Sequence, residues 1–378
     1  MAEARESVGG LVIGIDARAS TEVRAGRGRV VRELLRALAR RDDPHTYLCY
    51  AREAWTESLD GRFRWVLSRT RDPLWHLRTA RAARSCDVFL SSNSYLTVLL
   101  LRIPAVAIVY DLVTFERDMR PNLRSTIIER LTLGRAVRRA RGLVCISQAT
   151  ADALVSRFPA AAAKATVAPL GVPTALEGSD SPTVEDLPAP GFVLAVGTLE
   201  PRKNMPRLVE AYASLPEPVR SAHPLVVVGA RGWATGPTLA ALRSLKDGCV
   251  MLGHVEDGVL AELYRRCAVF CYPSLGEGFG LPVLEAMAAG TAVLTSNLSS
   301  LPEVGGDAVQ YADPRSTDSI RAGLQELLSS PERRRELGEL AERRARDFSW
   351  DRTAERVLAA LVRAAEADRA LAGGGRAA

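Results

Sequence analysis

Short apolar runs alternate with amphipathic segments along the first 170 residues of the chain. The runs at 10–17, 87–90, 105–110 and 142–146 have the length and apolar content of buried strands, and helical apolar spacing follows the first of them at 30–38. Strands that alternate with helices favour a parallel sheet covered by helices on both faces. This half of the chain therefore predicts a doubly wound α/β domain.

The same alternation returns after an interruption at residues 171–190. That segment is rich in Pro, Gly, Ser and acidic residues and has no periodic apolar face, which is typical of a linker. Strand-like runs then recur at 192–196, 224–228, 249–252, 269–272 and 292–295. We expect a first Rossmann-like domain, a linker, a second Rossmann-like domain, a final helix and a disordered tail, at 1–170, 171–190, 191–350, 351–369 and 370–378.

Length and composition agree with two folded domains. A chain of 378 residues is long for one domain, and 47% apolar with 25% charged residues is typical of a globular protein. No apolar run reaches the roughly 18 residues that a membrane-spanning helix needs. The first ten residues lack an apolar signal-peptide core, and the six cysteines have no metal-site spacing. We expect a cytoplasmic protein with reduced cysteines.

Positive charge is concentrated in the first half. Residues 1–170 contain 28 Lys and Arg against 17 Asp and Glu, whereas residues 171–378 contain 22 against 27. This asymmetry indicates an anionic partner, either a phosphate-bearing acceptor, an anionic membrane face contacted peripherally, or nucleic acid. A general preference for arginine explains it equally well. Nucleic acid is disfavoured because the Arg-rich stretch 117–141 has no interleaved aromatic side chains.

A glycine-rich loop between a predicted strand and a predicted helix is the most informative segment. Residues 272–285 read YPSLGEGFGLPVLE, with Pro282 near the first helical turn, where proline is best tolerated. The glycines let the backbone approach a ligand closely, and the helix directs its N-terminal N–H groups and positive dipole end at the loop. The pattern predicts an anion site, with phosphate as the natural ligand.

Two carboxylates flank this predicted anion site, Glu277 in the loop and Glu285 in the helix. Carboxylates beside phosphate are unfavourable unless they accept hydrogen bonds from neutral hydroxyl groups. A nucleotide sugar meets that requirement, because its diphosphate joins two hydroxyl-rich rings. Glu285 would hold the ribose and Glu277 the transferred sugar. The alternative is that both acids are surface residues favoured by the helix start.

Two cations follow another predicted strand, in the segment TLEPRKN at 198–204. Arg202 and Lys203 come just after the carboxyl end of that strand, where α/β sheets bind ligands. A guanidinium binds phosphate through two N–H groups, and an ammonium adds a point charge. Because cations at a helix start oppose the helix dipole, the arrangement predicts a bound anion.

Taken together, these segments resemble the GT-B-fold glycosyltransferases of the retaining family 4 type, in a mannosyltransferase-like branch. In the second half the resemblance rests on VGTLEPRKN at 196–204, EGFGLPVLE at 277–285, EAMAAGTAVL at 285–294 and LPEVGGDAVQYADP at 301–314. In the first half it is more diffuse and rests on IGIDAR, the glycine loop at 26–28 and IVYDL. It implies two Rossmann-like domains that face each other across a cleft, with the donor site in the second.

The resemblance also implies roles for individual residues. Arg202 and Lys203 would contact the donor diphosphate, and Glu277 would bind the sugar hydroxyls. Glu285 would bind the ribose, and backbone near Val255 would meet the base. Further donor contacts are expected at Gly26, Gly28, Tyr110, Gly197, Thr198, Gly278, Phe279, Gly280 and Leu281.

Two positions depart from the family pattern. Many relatives have a His-Asp pair after the strand at 105–109, where this chain has Tyr110 and Asp111. Tyrosine stays neutral near pH 7 and cannot take a charged role, so Asp111 is the candidate base, although a turn or capping role explains it equally well. Thr198 stands where the arginine that often begins the phosphate loop is expected.

The resemblance implies transfer of a hexose, with mannose as the first expectation, and retention at the anomeric carbon. No Asp-x-Asp motif is present to chelate a metal, and Arg202, Lys203 and the helix N-terminus can balance the diphosphate. We therefore expect no metal and no other cofactor. The acceptor is left open between a carbohydrate, a lipid-linked saccharide and a small molecule.

Two other functions are compatible with parts of this sequence. A nucleotide-sugar-binding subunit without activity would explain Tyr110 and Thr198, and it predicts donor binding without turnover. An NAD-dependent oxidoreductase would also have Rossmann-like domains. However, Val31 stands where a Gly-x-Gly-x-x-Gly loop beginning at Gly26 needs its third glycine.

Overall fold

The computed structural model describes residues 9–374 apart from 24–25, 116–122, 175–186, 231, 233–234 and 246–247, and only the backbone at 123–126 and 372–374. The chain folds into two compact units. The N-terminal unit comprises Met1–Leu112, Ile127–Gly171 and Trp350–Ala378, and the C-terminal unit comprises Val113–Thr126 and Val172–Ser349. Most of the predicted linker lies outside the described residues.

Seven parallel strands form the sheet of the N-terminal unit. They are β1 Val12–Asp16, β2 Thr46–Ala51, β3 Phe63–Leu67, β4 Val88–Ser91, β5 Ala105–Val109, β6 Gly142–Cys145 and β7 Ala165–Val167. Their spatial order is β3-β2-β1-β4-β5-β6-β7. The helices along this part of the chain are α1 Ala19–Glu22, α2 Arg27–Arg40, α3 Leu74–Ala82, α4 Tyr95–Leu100, α5 Leu123–Arg139 and α6 Gln148–Arg157.

Six parallel strands form the sheet of the C-terminal unit. They are β8 Val193–Val196, β9 Leu225–Val228, β10 Cys249–Gly253, β11 Val269–Tyr272, β12 Val293–Ser296 and β13 Gln310–Ala312, in the spatial order β10-β9-β8-β11-β12-β13. The helices are α7 Met205–Ala213, α8 Glu217–Ala222, α9 Gly236–Ser244, α10 Asp257–Arg266, α11 Leu281–Ala288, α12 Leu301–Gly305, α13 Thr317–Ser329 and α14 Pro331–Ala345.

The central strands of both sheets are buried on both faces. Every residue of β5, β8, β9 and β11 is buried, which is why their sequences are continuous apolar runs such as VLAV and LVVV. The predicted class of two Rossmann-like parallel α/β domains is confirmed. All six cysteines are free. Within the described residues, no helix combines the length and apolar content that crossing a bilayer requires.

The final helix, α15 Trp350–Gly374, returns to the N-terminal unit and packs against α2 and against strands β4 to β6. It is longer than the predicted helix 351–369. The prediction of disorder from 370 onwards is wrong for 370–374, because Ala370 to Ala372 are strong helix formers that extend the helix to Gly374. Residues 375–378 lie outside the described part of the chain.

Candidate active site

The two segments predicted to bind a ligand lie at the carboxyl ends of adjacent strands. β8 pairs in parallel with β11, and the strand order reverses between them, which is where sheets of this kind bind ligands. The loop after β8 contains Arg202, and the loop after β11 contains Ser274 and Leu275. The Arg202 carbonyl accepts hydrogen bonds from the Leu275 N–H at 2.8 Å and from the Ser274 hydroxyl at 2.9 Å. The fold thus joins the two predicted segments.

Glu277 is surrounded by hydrogen-bond donors. Its carboxylate accepts hydrogen bonds of 2.7 Å from Lys203 Nζ and from Ser274 Oγ, and one of 2.9 Å from the Tyr272 hydroxyl. Arg202 pairs with it through Nη1. Burial by itself would raise the pKa of Glu277, but Arg202 and Lys203 outweigh burial and lower the pKa to about 2. Glu277 is therefore an ionised, acceptor-only group at neutral pH.

Lys203 is buried in the same cluster. Its ammonium donates to the Tyr272 hydroxyl and lies 4.7 Å from the centre of that ring. Burial lowers the pKa of Lys203, and the neighbouring Glu277 opposes that effect. Gly197 makes room for the lysine, since a Cβ at this position would lie 3.2 Å from Lys203 Cε. Gly197 also has φ of +144°, which L-residues rarely adopt.

Arg202 is paired with carboxylates on two sides. Its Nε donates to Glu200 at 2.9 Å, and its Nη1 contacts Glu277. With Lys203 included, two cations face two carboxylates, so the cluster carries no net charge without a ligand. Glu200 was not among the predicted site residues, although it belongs to the same TLEPRKN segment.

Serine side chains hold the glycine-rich loop in shape. The Ser300 hydroxyl donates to the carbonyls of Glu277 at 3.0 Å and of Phe279 at 2.9 Å, and Ser299 Oγ accepts from the Glu277 N–H at 3.0 Å. Gly280 precedes α11 with φ of +103°, and a Cβ there would meet a leucine of α12 at 2.6 Å. The loop is therefore pre-formed in front of the helix N-terminus, as an anion site requires.

Glu285 lies within α11 and is only 2% exposed. Its carboxylate accepts a hydrogen bond of 2.9 Å from the Tyr264 hydroxyl of α10. Tyr264 was not among the predicted residues, because nothing in the local sequence pattern links α10 to the glycine-rich loop. The ribose contact proposed for Glu285 stays a prediction.

The other predicted donor residues of this unit lie at the same edge of its sheet. Gly278 lies in the loop, and Leu281 begins α11. Thr198 and Val255 follow β8 and β10 and are both partly exposed. Phe279 is 2% exposed, so it can offer a ligand only its backbone.

In the N-terminal unit, the predicted residues gather beyond the carboxyl end of β5. Tyr110 and Asp111 follow that strand, and the Arg27 guanidinium lies 5.1 Å from the centre of the Tyr110 ring. Burial lowers the pKa of Arg27, but Asp111, Tyr95 and Glu129 outweigh burial and raise it. Arg27 is therefore a fixed positive charge beside Tyr110. Glu129, which lies on α5, was not among the predicted residues.

Tyr110 itself is 7% exposed, and its hydroxyl has no hydrogen-bond partner among the residues that the structure describes. Burial raises its pKa, so the hydroxyl is protonated near pH 7, as expected.

Gly26 is exposed, with φ of +53°. Packing alone requires a glycine at position 28, because a Cβ there would lie 1.6 Å from the Val23 carbonyl oxygen.

In the described ranges, no group of three or more His, Cys, Asp or Glu side chains is placed to hold a metal ion. The expectation that the reaction needs no metal stays a prediction.

Known families match the chain in both halves. Residues 25–176 match the family described as Glycosyltransferase Family 4, and residues 185–344 match the family described as Glycosyl transferases group 1.

Curated relatives resemble part of the chain. The O-antigen chain mannosyltransferase B of Escherichia coli is 42% identical over 163 residues, which is 43% of this chain and 43% of that protein. The serotype-specific mannosyltransferase WbdA of Escherichia coli is 35% identical over 46% of this chain and 22% of that protein. The MMP alpha-(1->4)-mannosyltransferase of Mycolicibacterium hassiacum is 32% identical over 61% of this chain and 56% of that protein. The chain thus spans between about a fifth and just over half of these relatives.

Solved structures resemble the chain over almost its whole length. Sucrose-phosphate synthase from Thermosynechococcus elongatus has a TM-score of 0.72 at 20% identity and covers 96% of this chain and 100% of its own. HepE of Anabaena, solved with UDP-glucose, has a TM-score of 0.70 at 17% identity and covers 93% of this chain and 99% of its own. At these identities the likeness shows a shared fold.

Proposed function

Since the chain belongs to the GT-B glycosyltransferases of the family 4 type, we propose that it transfers a hexose from a nucleoside diphosphate sugar to an acceptor hydroxyl. We propose retention at the anomeric carbon and no requirement for a metal ion. Mannose is the first sugar to test, because three relatives are named mannosyltransferases. A saccharide, free or lipid-linked, is the first acceptor to test, with a small molecule as the second.

The observation that carries this proposal is the neutral cluster of Arg202, Lys203 and Glu277 with Glu200 at the switch point between β8 and β11. A diphosphate replaces Glu277 as the counter-ion of the two cations. Glu277, ionised and unable to donate, then accepts hydrogen bonds from the hydroxyls of the sugar. After the exchange the two cations face the diphosphate, and the buried Glu277 carboxylate is held by neutral donors, the Ser274 and Tyr272 hydroxyls together with those of the sugar.

Charge development on the leaving group explains why the cations matter to the rate. The bond between the anomeric carbon and the diphosphate oxygen breaks, so negative charge grows on the diphosphate. Arg202 and Lys203 oppose that charge in a partly buried site, where electrostatic interactions are stronger than in water. The N–H groups at the start of α11 add to the effect. The acceptor oxygen forms the new bond to the anomeric carbon, and the departing diphosphate oxygen takes the proton that the acceptor hydroxyl loses.

The first experiment is a thermal-shift panel of UDP, GDP, ADP, TDP and CDP, with and without Mg²⁺, on wild type and Glu285→Ala. We expect one diphosphate to raise the melting temperature by several degrees without Mg²⁺ and to lose that effect in the variant. The matching sugar nucleotides are then incubated with saccharide acceptors, and the anomeric configuration of the product is read by NMR.

Each part of the proposal has its own contrary result. If none of the five diphosphates shifts the protein, the donor site is assigned wrongly. Binding of a diphosphate without turnover of any sugar nucleotide points to the non-enzymatic subunit instead. An inverted product contradicts retention, and loss of activity in EDTA contradicts metal independence.

A further inference from the structure

A groove of about 490 Å³ opens in the N-terminal unit, at the opposite end of the sheet from Tyr110. Pro104, which directly precedes β5, and Arg141, which directly precedes β6, both line it. Tyr110 follows the other end of β5, six residues after Pro104 and about 20 Å from it along the strand at 3.3 Å per residue. The groove therefore lies at the amino edge of the sheet and is separate from the site described above.

Positive charge dominates the lining of this groove. Five arginines and one carboxylate line it: Arg102, Arg135, Arg138, Arg139, Arg141 and Asp368. Lys164 adjoins them, since its Nζ donates to the carbonyls of Arg138 at 3.2 Å and of Ala140 at 2.9 Å. Burial and then the nearby Arg141 lower the pKa of Lys164.

Two arginines of the groove are not committed to partners in the chain. Neither the Arg102 nor the Arg138 side chain has a hydrogen bond or an ion pair to any part of the chain that the structure describes. Arg141 pairs with Asp368 at 3.3 Å, but both side chains are more than 40% exposed, so solvent screens the pair.

The negative carboxyl ends of nearby helices neutralise only part of this positive charge. The carboxyl ends of α4 and α5 both lie at the groove, and Arg139 donates to the carbonyls of Val98 at 3.1 Å and of Leu101. Each helix end supplies about half a negative charge. Two ends and Asp368 together offset about two of the six positive charges, and on the order of four remain.

We propose that this groove binds a phosphate-bearing anion, with Arg102 and Arg138 as its main phosphate contacts. A guanidinium pairs with two phosphate oxygens at once, and both of these groups are uncommitted. The walls beside them are apolar, formed by Val98, Leu99 and Ile103, so the groove also accommodates an apolar group next to the phosphate. Free diphosphate and the headgroup of an anionic phospholipid share this chemistry.

Hydrogen exchange of the full chain, read by mass spectrometry, locates binding without relying on activity. Inorganic pyrophosphate is one probe, and vesicles of phosphatidylglycerol are the other, with phosphatidylcholine vesicles as the neutral reference. Peptides that cover 98–105 and 135–141 report the groove, whereas peptides that cover 272–285 report the proposed donor site. If no ligand binds at one of the two sites, the peptides of the other site still report whether binding occurs there.

Two double variants test whether protection of the groove peptides from hydrogen exchange depends on the groove arginines. Arg102→Ala with Arg138→Ala removes the two uncommitted cations, and Arg81→Ala with Arg84→Ala removes the same charge from exposed positions of the same unit outside the groove. We expect at least one probe to protect the groove peptides in wild type and in the control pair, with at least a tenfold weaker midpoint in the groove pair. Protection by pyrophosphate identifies a free anion, and protection by phosphatidylglycerol alone identifies a lipid headgroup. Absence of protection by both probes, or equal losses in both pairs, would overturn the proposal.

Discussion

Lys203 and Glu277, which are 74 positions apart in the sequence, form an ion pair of 2.7 Å with side chains only 7% and 8% exposed. The pair exists because β8 and β11, whose following loops carry the two residues, are neighbours in the sheet. A buried charge that loses its partner costs about 3–5 kcal/mol. Any ligand that displaces Glu277 from Lys203 must therefore bring a negative charge of its own, as a diphosphate does.

Glu277→Gln separates sugar contacts from diphosphate contacts. The amide keeps the size of the side chain but no longer neutralises Arg202 and Lys203, so we expect the affinity for the nucleoside diphosphate to rise. We expect kcat/KM for the sugar nucleotide to fall by about 10²–10³-fold, because the sugar loses a charged acceptor. Calorimetry and initial rates measure the two effects.

The matched control is Glu339→Gln, an exposed acid on α14 in the same unit, which we expect to behave as wild type. A fall in diphosphate affinity with unchanged turnover would place Glu277 on the nucleotide rather than on the sugar.

The lowered pKa of Glu277 predicts how stability depends on pH. The pKa is about 2 in the folded protein, below the ordinary value, so ionised Glu277 stabilises the fold at neutral pH. That contribution is fully present above the ordinary glutamate pKa of about 4.3 and is lost as the pH falls towards the folded-state value. We expect wild type to melt several degrees above Glu277→Gln at pH 7, and the gap to close between about pH 4.3 and pH 2. A gap that is unchanged at pH 3 would show that the carboxylate charge is not its cause.

Gly197→Ala tests whether the backbone before the cluster positions Lys203. The new Cβ meets Lys203 Cε at 3.2 Å in a backbone conformation with φ of +144°. We expect a loss of about 1–3 kcal/mol in unfolding free energy, together with at least a tenfold loss in kcat/KM because the ammonium is displaced. Urea unfolding and initial rates provide the two numbers.

Gly236→Ala is the comparison for this variant, because a Cβ there meets nothing within 4 Å and its φ is unexceptional. If both variants keep full activity and stability, Lys203 does not depend on Gly197.

The sequence predicted the fully buried strands well and missed β2 and β3. Residues 269–272 were expected to form a strand, and β11 has those same bounds, because a strand buried on both faces is a continuous apolar run. The edge strand β3 was not predicted: it is partly exposed and includes an arginine. β2 was missed as well, since its tyrosines look polar until the fold buries them. Propensity carries little signal where tertiary packing decides the structure.

In the candidate site, the residues inside local motifs were predicted, and those that come from distant segments were not. Arg202, Lys203 and Glu277 were found because they lie in motifs with a recognisable loop and helix start. Ser300 and Tyr264 were missed, since single polar residues gain a role only when distant segments meet. No spacing rule in one sequence connects them to the glycine-rich loop.

Tyr110→Phe tests the position at which the family resemblance leads us to expect a histidine. The Tyr110 hydroxyl is buried without a partner among the described residues, so its removal leaves no group newly unsatisfied. We therefore expect the melting temperature to stay equal to or rise slightly above that of wild type. If the hydroxyl donates to a substrate, kcat/KM falls by about tenfold, which corresponds to one hydrogen bond of about 1.4 kcal/mol. Burial raises the pKa of Tyr110, so this loss should be the same at every pH from about 6 to 9. A stability loss with unchanged activity would instead make Tyr110 a packing residue and leave Asp111 as the group to test next.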